Sequence, residues 1–528
     1  MPTFGFEGEN AREKVVVLLT MCFALAMAML DNTVVNVALP TIRLDLSAGI
    51  SQLQWIVDGY VLAFASLLLT GGILGDRYGR KKMFVSGLVV FTLASLGCGL
   101  SNSTSLLIGF RAIQGVGAAL LMPGTLSIIT VTFPPQERAR AIGLWAGMSG
   151  LALALGPTIG GLMVEHLGWQ SVFFLNVPIG AIAFLVAVRT VRESTSEVER
   201  RLDIPGLLLG TSALFFLTYG LIEANARGWS DAQIVGSFIL AAALGAAFLR
   251  WEMRNPHAMM PLRFFRIPAF SAGNAVAFSV SLGMFAMFFF FSIYLQSIQG
   301  YSPFEAGYRF LPMTLAIIVT APNAGKFAQR HGSRIPMTYG LVLAGSALLL
   351  LGLTTHIDTS YLYLLPIFTV MGHGIGATMA PMTAAVMNAV GPQRAGLGSA
   401  MTNTSREVGG VLGIAVLGAI LTTKLRDAFV PALAGLGLSP QQQATIGTAA
   451  GQGDISSNVL RGIPPDIQHR IFGAFATSFM DGFRLALLFG GAVLLLGAVI
   501  AFTWIPHGGH VRDTDHDEAR REPVAIEL

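Results

Sequence analysis

Charge is scarce in this chain of 528 residues: aspartate, glutamate, lysine and arginine together make up 12% of it, about half of what soluble domains carry. With 53% hydrophobic residues, a water-soluble globule is excluded. Cysteine is nearly absent. Cys22 and Cys98 both fall inside apolar runs, which excludes an extracellular disulfide framework and makes them small packing residues. Alternation with a period of two is missing from the apolar runs, which excludes a membrane barrel. A phosphate-cradling G-x-x-x-x-G-K-[ST] loop is missing too, so direct drive by ATP is not expected. No catalytic triad or metal cluster stands out, and His507 and His510 are too sparse for a metal. The chain is therefore not read as an enzyme, and it needs no cofactor. Arg12 and Lys14 precede the first apolar run as they would in a secretory signal, but the run is too long and no cleavage pattern precedes Pro40.

What the chain has is apolar runs of bilayer-spanning length, fourteen by our reading: 15–39, 53–74, 83–101, 105–130, 141–163, 169–188, 204–221, 233–250, 270–296, 304–325, 335–353, 361–390, 398–422 and 479–504. Only helices satisfy their own backbone in hydrocarbon once barrels are excluded, so the fold class is all-α integral membrane. Of the 33 lysines and arginines, 23 lie at the termini or in even-numbered connectors, six in odd-numbered ones, and four (Arg111, Arg309, Arg406, Arg484) within spans. This asymmetry places both termini in the cytoplasm and explains the basic pI without nucleic acid.

The charged connector 189–203 and a second composition break near 251–268 divide the chain into a first six-helix bundle (1–203), an inserted helix pair with its connector (204–268), a second six-helix bundle (269–506) and a polar tail (507–528). Gly72-x-Leu74-x-Asp76-Arg77-x-Gly79-x-Lys81 aligns without gaps on Gly325-x-Phe327-x-Gln329-Arg330-x-Gly332-x-Arg334. Each segment joins the second and third helices of its bundle, the mark of a repeat-built transporter with its site between the halves. The outer connector 424–475 has a helix start at Ser439–Pro440. Ile471, Phe472, Phe475 and Phe479 predict an interfacial amphipathic helix leading into the last span.

Ionisable residues within spans are costly, so each is a candidate for function. Asp31, in LDNTVVNVALP, and Arg111, in RAIQGVG, reach similar depth and are expected to pair, either as a fixed bridge or as a carboxylate whose proton affinity depends on that arginine. Asp58, in WIVDGY, is a candidate for a second proton, a cation or mere solvation. Glu407 and Arg406 point about 100° apart as helix neighbours, so each is expected to meet a partner on another helix. Ser302, Pro303 and Glu305 read as a capping box, with Arg309 four residues beyond Glu305. Asp481 and Arg484 read as structural.

Span five supplies Gly156, Pro157, Gly160 and Gly161, preceded by Gly143 and Gly147, a seam for close helix packing with a bend. Consecutive aromatics in span nine (Phe285, Phe288 to Phe291, Tyr294) point in all directions, so most are expected to serve packing or lipid and a few at most a ligand pocket.

GGILGDRYGRKK resembles the cytoplasmic signature loop of the major facilitator superfamily, RAIQGVGAALLMP its fourth-helix arginine motif, and GPTIGG its fifth-helix antiporter motif. LDNTVVNVALP, WQSVFFLNVP, YLQSIQGYSPFEAGYRFLP and NTSREVGG further resemble the fourteen-helix drug:proton antiporter subgroup. The resemblance implies two rocking six-helix bundles with two inserted helices, and export of lipophilic cationic drugs across the bacterial inner membrane, driven by protons. It implies that Gly72, Asp76, Arg77, Gly79, Arg80 and Lys81 form a cytoplasmic latch, and that Asp31 and Arg111 take part in proton relay. The partners it implies are a small molecule, protons and the bilayer, with the chain a monomer. Ala152 replaces a glycine of the antiporter motif, and Gln329 replaces the acid in the second latch. Asp58 is shared with exporters of quaternary cations, while their acid in span ten is absent from LAIIVTAP. That counts against divalent-cation export and leaves monovalent lipophilic cations open. Export of an endogenous metabolite, lipid or antibiotic, import by symport, and a sensor or scaffold without transport are the rival readings.

Overall fold

A computed structural model of the chain describes residues 11–506 except 196–201, 256, 257, 259, 261, 391–394, 452–459, 461 and 462. The tail with His507 and His510 lies outside the described residues. Among those described there is no strand. The helices are α1 (Ala11–Leu46), α2 (Ile50–Tyr78), α3 (Arg80–Gly99), α4 (Thr104–Thr132), α5 (Pro135–Leu167), α6 (Ser171–Phe174), α7 (Asn176–Thr190), α8 (Ile204–Arg227), α9 (Ala232–Arg254), α10 (Pro268–Ile293), α11 (Pro303–Arg309), α12 (Leu311–His331), α13 (Arg334–Thr354), α14 (Tyr361–Val390), α15 (Ala395–Leu433), α16 (Pro440–Gly451) and α17 (Pro465–Trp504).

Among the described residues, twelve helices are long and apolar enough to cross a membrane, against fourteen expected. The two predicted spans outside that set are 141–163, which lies within the 33-residue α5, and 304–325, which the structure divides between α11 and the 21-residue α12. Composition sets α12 apart: Thr314, Thr320 and Asn323 interrupt its apolar surface, and Lys326, Gln329 and Arg330 occupy its last turns. The expected amphipathic helix is continuous with the last span. Its Ile471, Phe475 and Phe479 are buried and Phe472 is exposed within the single 40-residue α17.

Local sequence explains where helices begin. Ser302 and Glu305 form the predicted capping box at α11, with Glu305 turned back on the Ser302 N–H at 3.1 Å. Arg309 therefore bonds the Glu305 backbone oxygen and lies over Tyr301, without pairing the Glu305 carboxylate. Ser439 and Gln442 cap α16 in the same reciprocal way. The repeated connector has one geometry in both copies. Gly79 (φ +113°) and Gly332 (φ +85°) end their helices in a backbone region that favours glycine, and each N–H bonds the carbonyl four residues back.

Helices α1 to α7 pack mainly on one another, as do α10 to α17, and α8 lies against both α2 and α15. α10 is almost wholly buried. Its aromatic run is core: Phe291 meets Phe368 and Phe483 edge-on, Tyr294 stacks on Phe483 and Phe288 lies against Phe310. The described contacts between the two helix groups cluster at the end that charge asymmetry assigns to the outside, here the outer end. Gln54 Nε2 donates to the Ile414 carbonyl at 2.9 Å, Gln296 Nε2 donates to the Val37 carbonyl at 3.0 Å, and α5 packs on α11.

Candidate functional site

The middle of the first helix group holds a dry polar cluster. Asp31 of α1 and Arg111 of α4 are 1% and 0% exposed, and they form a short ion pair. Gln114, one turn beyond Arg111 and so on the same face of α4, accepts from Arg111 Nη1 at 2.7 Å and donates to Asp31 Oδ1 and Ser95 Oγ, both at 2.8 Å. Asn176, the first residue of α7, donates to Asp31 Oδ1 at 2.8 Å. Arg111 Nε donates to the Ile56 carbonyl, and the guanidinium lies 4.3 Å from the Tyr60 ring centre. Cys98 reaches the edge of the cluster at Gln114. One carboxylate thus ties α1, α4 and α7 together and reaches α3 through Gln114. Its charge is tolerable in a membrane interior because a cation and two amide donors surround it.

Two other buried acids are built differently. Asp58 is fully buried, and neither of its carboxylate oxygens has a hydrogen-bond partner among the described residues. A carboxyl in that position needs a proton or a cation beside it. Glu407 is 5% exposed with Oε2 unpartnered. Arg406, its half-buried neighbour on α15, makes no ion pair among the described residues. The structure therefore brings Asp31 to Arg111 and leaves both Asp58 oxygens and Glu407 Oε2 without a hydrogen-bond partner among the described residues.

At the opposite end, Asp76 accepts from Arg80 at 3.0 Å, one turn on. Arg77 lies near the Tyr78 ring, Lys81 Nζ bonds the Val188 carbonyl at 2.7 Å, and Gly72 lies against Pro123. Glu193, in the connector after α7, accepts from the Lys81 and Lys82 backbone N–H groups at 3.0 and 3.1 Å and fills the space over Gly79. It caps α3 from another element, and no local pattern in the sequence announces it.

The span-five glycines line two interfaces. Gly156 and Gly160 face Thr33 and Val34 of α1. Gly161 faces Pro303 and Phe304 of α11, while the Pro157 carbonyl meets Gly307 from the other side. At the outer rim Glu165 accepts from Ser302 Oγ at 2.5 Å and from the Phe304 N–H at 3.0 Å.

Glu165 lies beyond the membrane span. The Ser302 hydroxyl, and then the Phe304 N–H, hold its carboxyl below the usual glutamate value, with nearby His166 acting in the same direction. A carboxyl whose value is lowered by this contact strengthens it at high pH, and the stabilisation is lost as pH falls through the lowered value. The α5–α11 contact is thus expected to persist from neutral pH down to about 4.5 and to weaken only below that. Distances between spin labels at the outer ends of α5 and α11, followed from pH 7 to about pH 4, check this; separation beginning near pH 6 would contradict it.

Sequence reasoning missed Gln114, Asn176, Ser95 and Glu193. It also missed His373, which bridges Thr320 at 2.8 Å and Tyr339 at 3.3 Å across α12, α13 and α14. The i+3 spacing of Arg111 and Gln114 was a usable signal. Arg484 bonds the Gly352 and Leu353 carbonyls rather than Asp481.

A sequence profile described as the Major Facilitator Superfamily matches residues 21–414. The chain is 35% identical to a tetracenomycin C resistance and export protein of Streptomyces glaucescens, over 92% of this chain and 90% of that one. It is 33% identical to the multidrug resistance protein Stp of Mycobacterium tuberculosis, over 98% and 96%. Among solved structures, a bacterial homologue of the human lysosomal transporter Spinster, inward-facing and occupied, superposes with a TM-score of 0.65 at 18% identity, covering 94% of this chain and 97% of that one.

Proposed function

The chain belongs to the major facilitator superfamily, in the company of drug and antibiotic exporters, and from that membership we propose that it exports lipophilic cations in exchange for protons. It is a multi-pass membrane transporter of small molecules. The finer reading has fourteen spans, both termini in the cytoplasm of a bacterial cell, and a monomer whose moving units are residues 1–203 and 269–506 with 204–268 inserted between them.

The observation that carries proton exchange is the contrast between one fully coordinated acid and two buried acids with unpartnered oxygens. Asp31 is held by Arg111, Gln114 and Asn176, and protonating it frees the arginine from its only ion-pair partner among the described residues. Both Asp58 oxygens and Glu407 Oε2 have no hydrogen-bond partner among the described residues, so a lipophilic cation satisfies these acids when they are ionised and a proton satisfies them when it leaves. Coupling requires that proton and substrate prefer different conformations. In the conformation described, the outer ends are in contact through Gln54, Gln296, Glu165 and the glycines of α5. Substrate then reaches the acids from the cytoplasmic side. Opening of the outer seam exposes them to external protons, and release follows. The Asp76–Arg80 pair with the Gly79 turn serves as the cytoplasmic latch that closes as the outer seam parts.

Expression in a bacterial strain lacking its own pumps tests this reading. Ethidium is extruded, and extrusion stops when nigericin collapses the pH gradient. Extrusion that survives collapse of the gradient contradicts proton coupling. A second reading, export of an antibiotic made by the cell itself, is favoured by the relative whose name joins resistance to export. Loss of a secreted metabolite in a deletion strain that remains resistant to ethidium supports that reading over the first.

A further inference from the structure

The two acids proposed as proton sites sit in different helix groups, Asp31 on α1 and Glu407 on α15, and Tyr60 of α2 lies against the arginine that pairs with Asp31. Helix α2 runs antiparallel to α15: Gln54 donates to the Ile414 carbonyl and also packs against Gly418. Six residues along α2 advance about 9 Å and reach Tyr60, while six residues back along α15 from Ile414 reach position 408, next to Glu407. Tyr60 and Glu407 therefore share a depth on two helices that pack against each other.

Tyr60 is fully buried, and its hydroxyl has no partner among the described residues; the same is true of Glu407 Oε2. The ring cannot drift. It lies beneath the Arg111 guanidinium, stacks on Phe64 and meets the Phe91 edge. A buried phenol so firmly held, with its polar end unused, is costly unless that end works.

We propose that Tyr60 is the proton link between the two helix groups, passing protons between Asp31 and Glu407 so that the two acids titrate as one unit. In the transfer, once movement of the helix groups brings the hydroxyl into reach of both acids, the neutral phenol gives its O–H proton to the Glu407 carboxylate and takes one from the Asp31 carboxylic acid. The phenol is regenerated, one proton has moved, and Tyr60 carries no charge before or after. The inference rests on Asp31 and Glu407 being the proton sites assigned under Proposed function.

Tyr60→Phe keeps the ring and its contact with Arg111 and removes only the hydroxyl. In proteoliposomes, ethidium exchange without a pH gradient is expected to stay at the wild-type rate, while gradient-driven ethidium uptake falls about tenfold or more, in the range set by removing a proton-transfer group. Adding Glu407→Gln to Tyr60→Phe is expected to cause no further loss. Gradient-driven uptake preserved in Tyr60→Phe but lost in Asp31→Asn and Glu407→Gln overturns the link and leaves the proton sites standing. Uptake preserved in all three variants overturns the proton sites themselves. Loss of gradient-free exchange in Tyr60→Phe overturns the link as well, because the tyrosine then serves substrate binding or packing.

Discussion

Asp31→Asn is expected to abolish gradient-driven accumulation of ethidium in proteoliposomes while leaving the protein folded in detergent. Each proton moving down a gradient of one pH unit contributes about 1.4 kcal/mol, so a cycle that loses its coupling proton loses about a tenfold accumulation ratio for each pH unit imposed. Asparagine is nearly isosteric and still offers an oxygen to Gln114 and Asn176, whose bonds to Oδ1 are both 2.8 Å. What it cannot do is neutralise Arg111, which is 0% exposed. Removing one partner of a buried ion pair costs about 3–5 kcal/mol in soluble proteins, and the retained amide bonds offset part of that. Thermal unfolding, measured beside transport, separates the two effects. A variant that unfolds at wild-type temperature but cannot accumulate substrate has lost a proton site. A variant that accumulates substrate normally shows that Asp31 is only a bridge.

Gly161→Leu is expected to stall the cycle with the outer end open. A Cβ at this position meets the Phe304 Cα at 2.8 Å and the Pro303 carbonyl carbon at 2.9 Å. Both are backbone atoms that no rotamer change moves aside. Overpacking of this kind costs about 1–3 kcal/mol, and here the strain exists only while α5 and α11 touch. The conformational equilibrium should therefore shift about tenfold to a hundredfold away from the outer-closed state. Cysteines at the outer ends of α5 and α11 should become more reactive toward a membrane-impermeant maleimide, and export should fall in step. Gly160→Leu provides the contrast: its Cβ meets Val34 of α1 at 3.0 Å, within one helix group, so it should destabilise the protein without biasing the outer seam. Equal accessibility in the two variants would refute the assignment of Gly161 to a moving interface.

How far the sequence alone reached follows from which interactions are local. The helices were legible because each span carries its own hydrophobic length. The repeat was legible because the turn at Gly79 and Gly332 demands the same glycine in both copies. The Asp31–Arg111 pair could be inferred from depth alone, since few partners exist for a charge in hydrocarbon. Gln114 and Asn176 escaped because amides are not costly enough inside a span to stand out, and their role appears only when α1, α4 and α7 meet. Glu193 escaped because it caps a helix more than a hundred residues away in the chain. The aromatic run of α10 serves packing, as expected of consecutive aromatics, though composition does not reveal that neighbouring helices supply Phe368 and Phe483 to pack it. The capping box at Ser302 was legible because it is local, and it uses the Glu305 carboxylate that the four-residue spacing would otherwise offer to Arg309.

The central claim is that the chain exchanges protons for its substrate, and the purified transporter in proteoliposomes tests it most directly. With an acidic lumen and an alkaline bath, molecules whose cytoplasmic face points outward should accumulate ethidium. Each ethidium taken up should be matched by proton efflux seen with a pH-sensitive dye in the bath, and nigericin should abolish both. Accumulation that proceeds without proton efflux, or that requires the opposite gradient, would contradict the account.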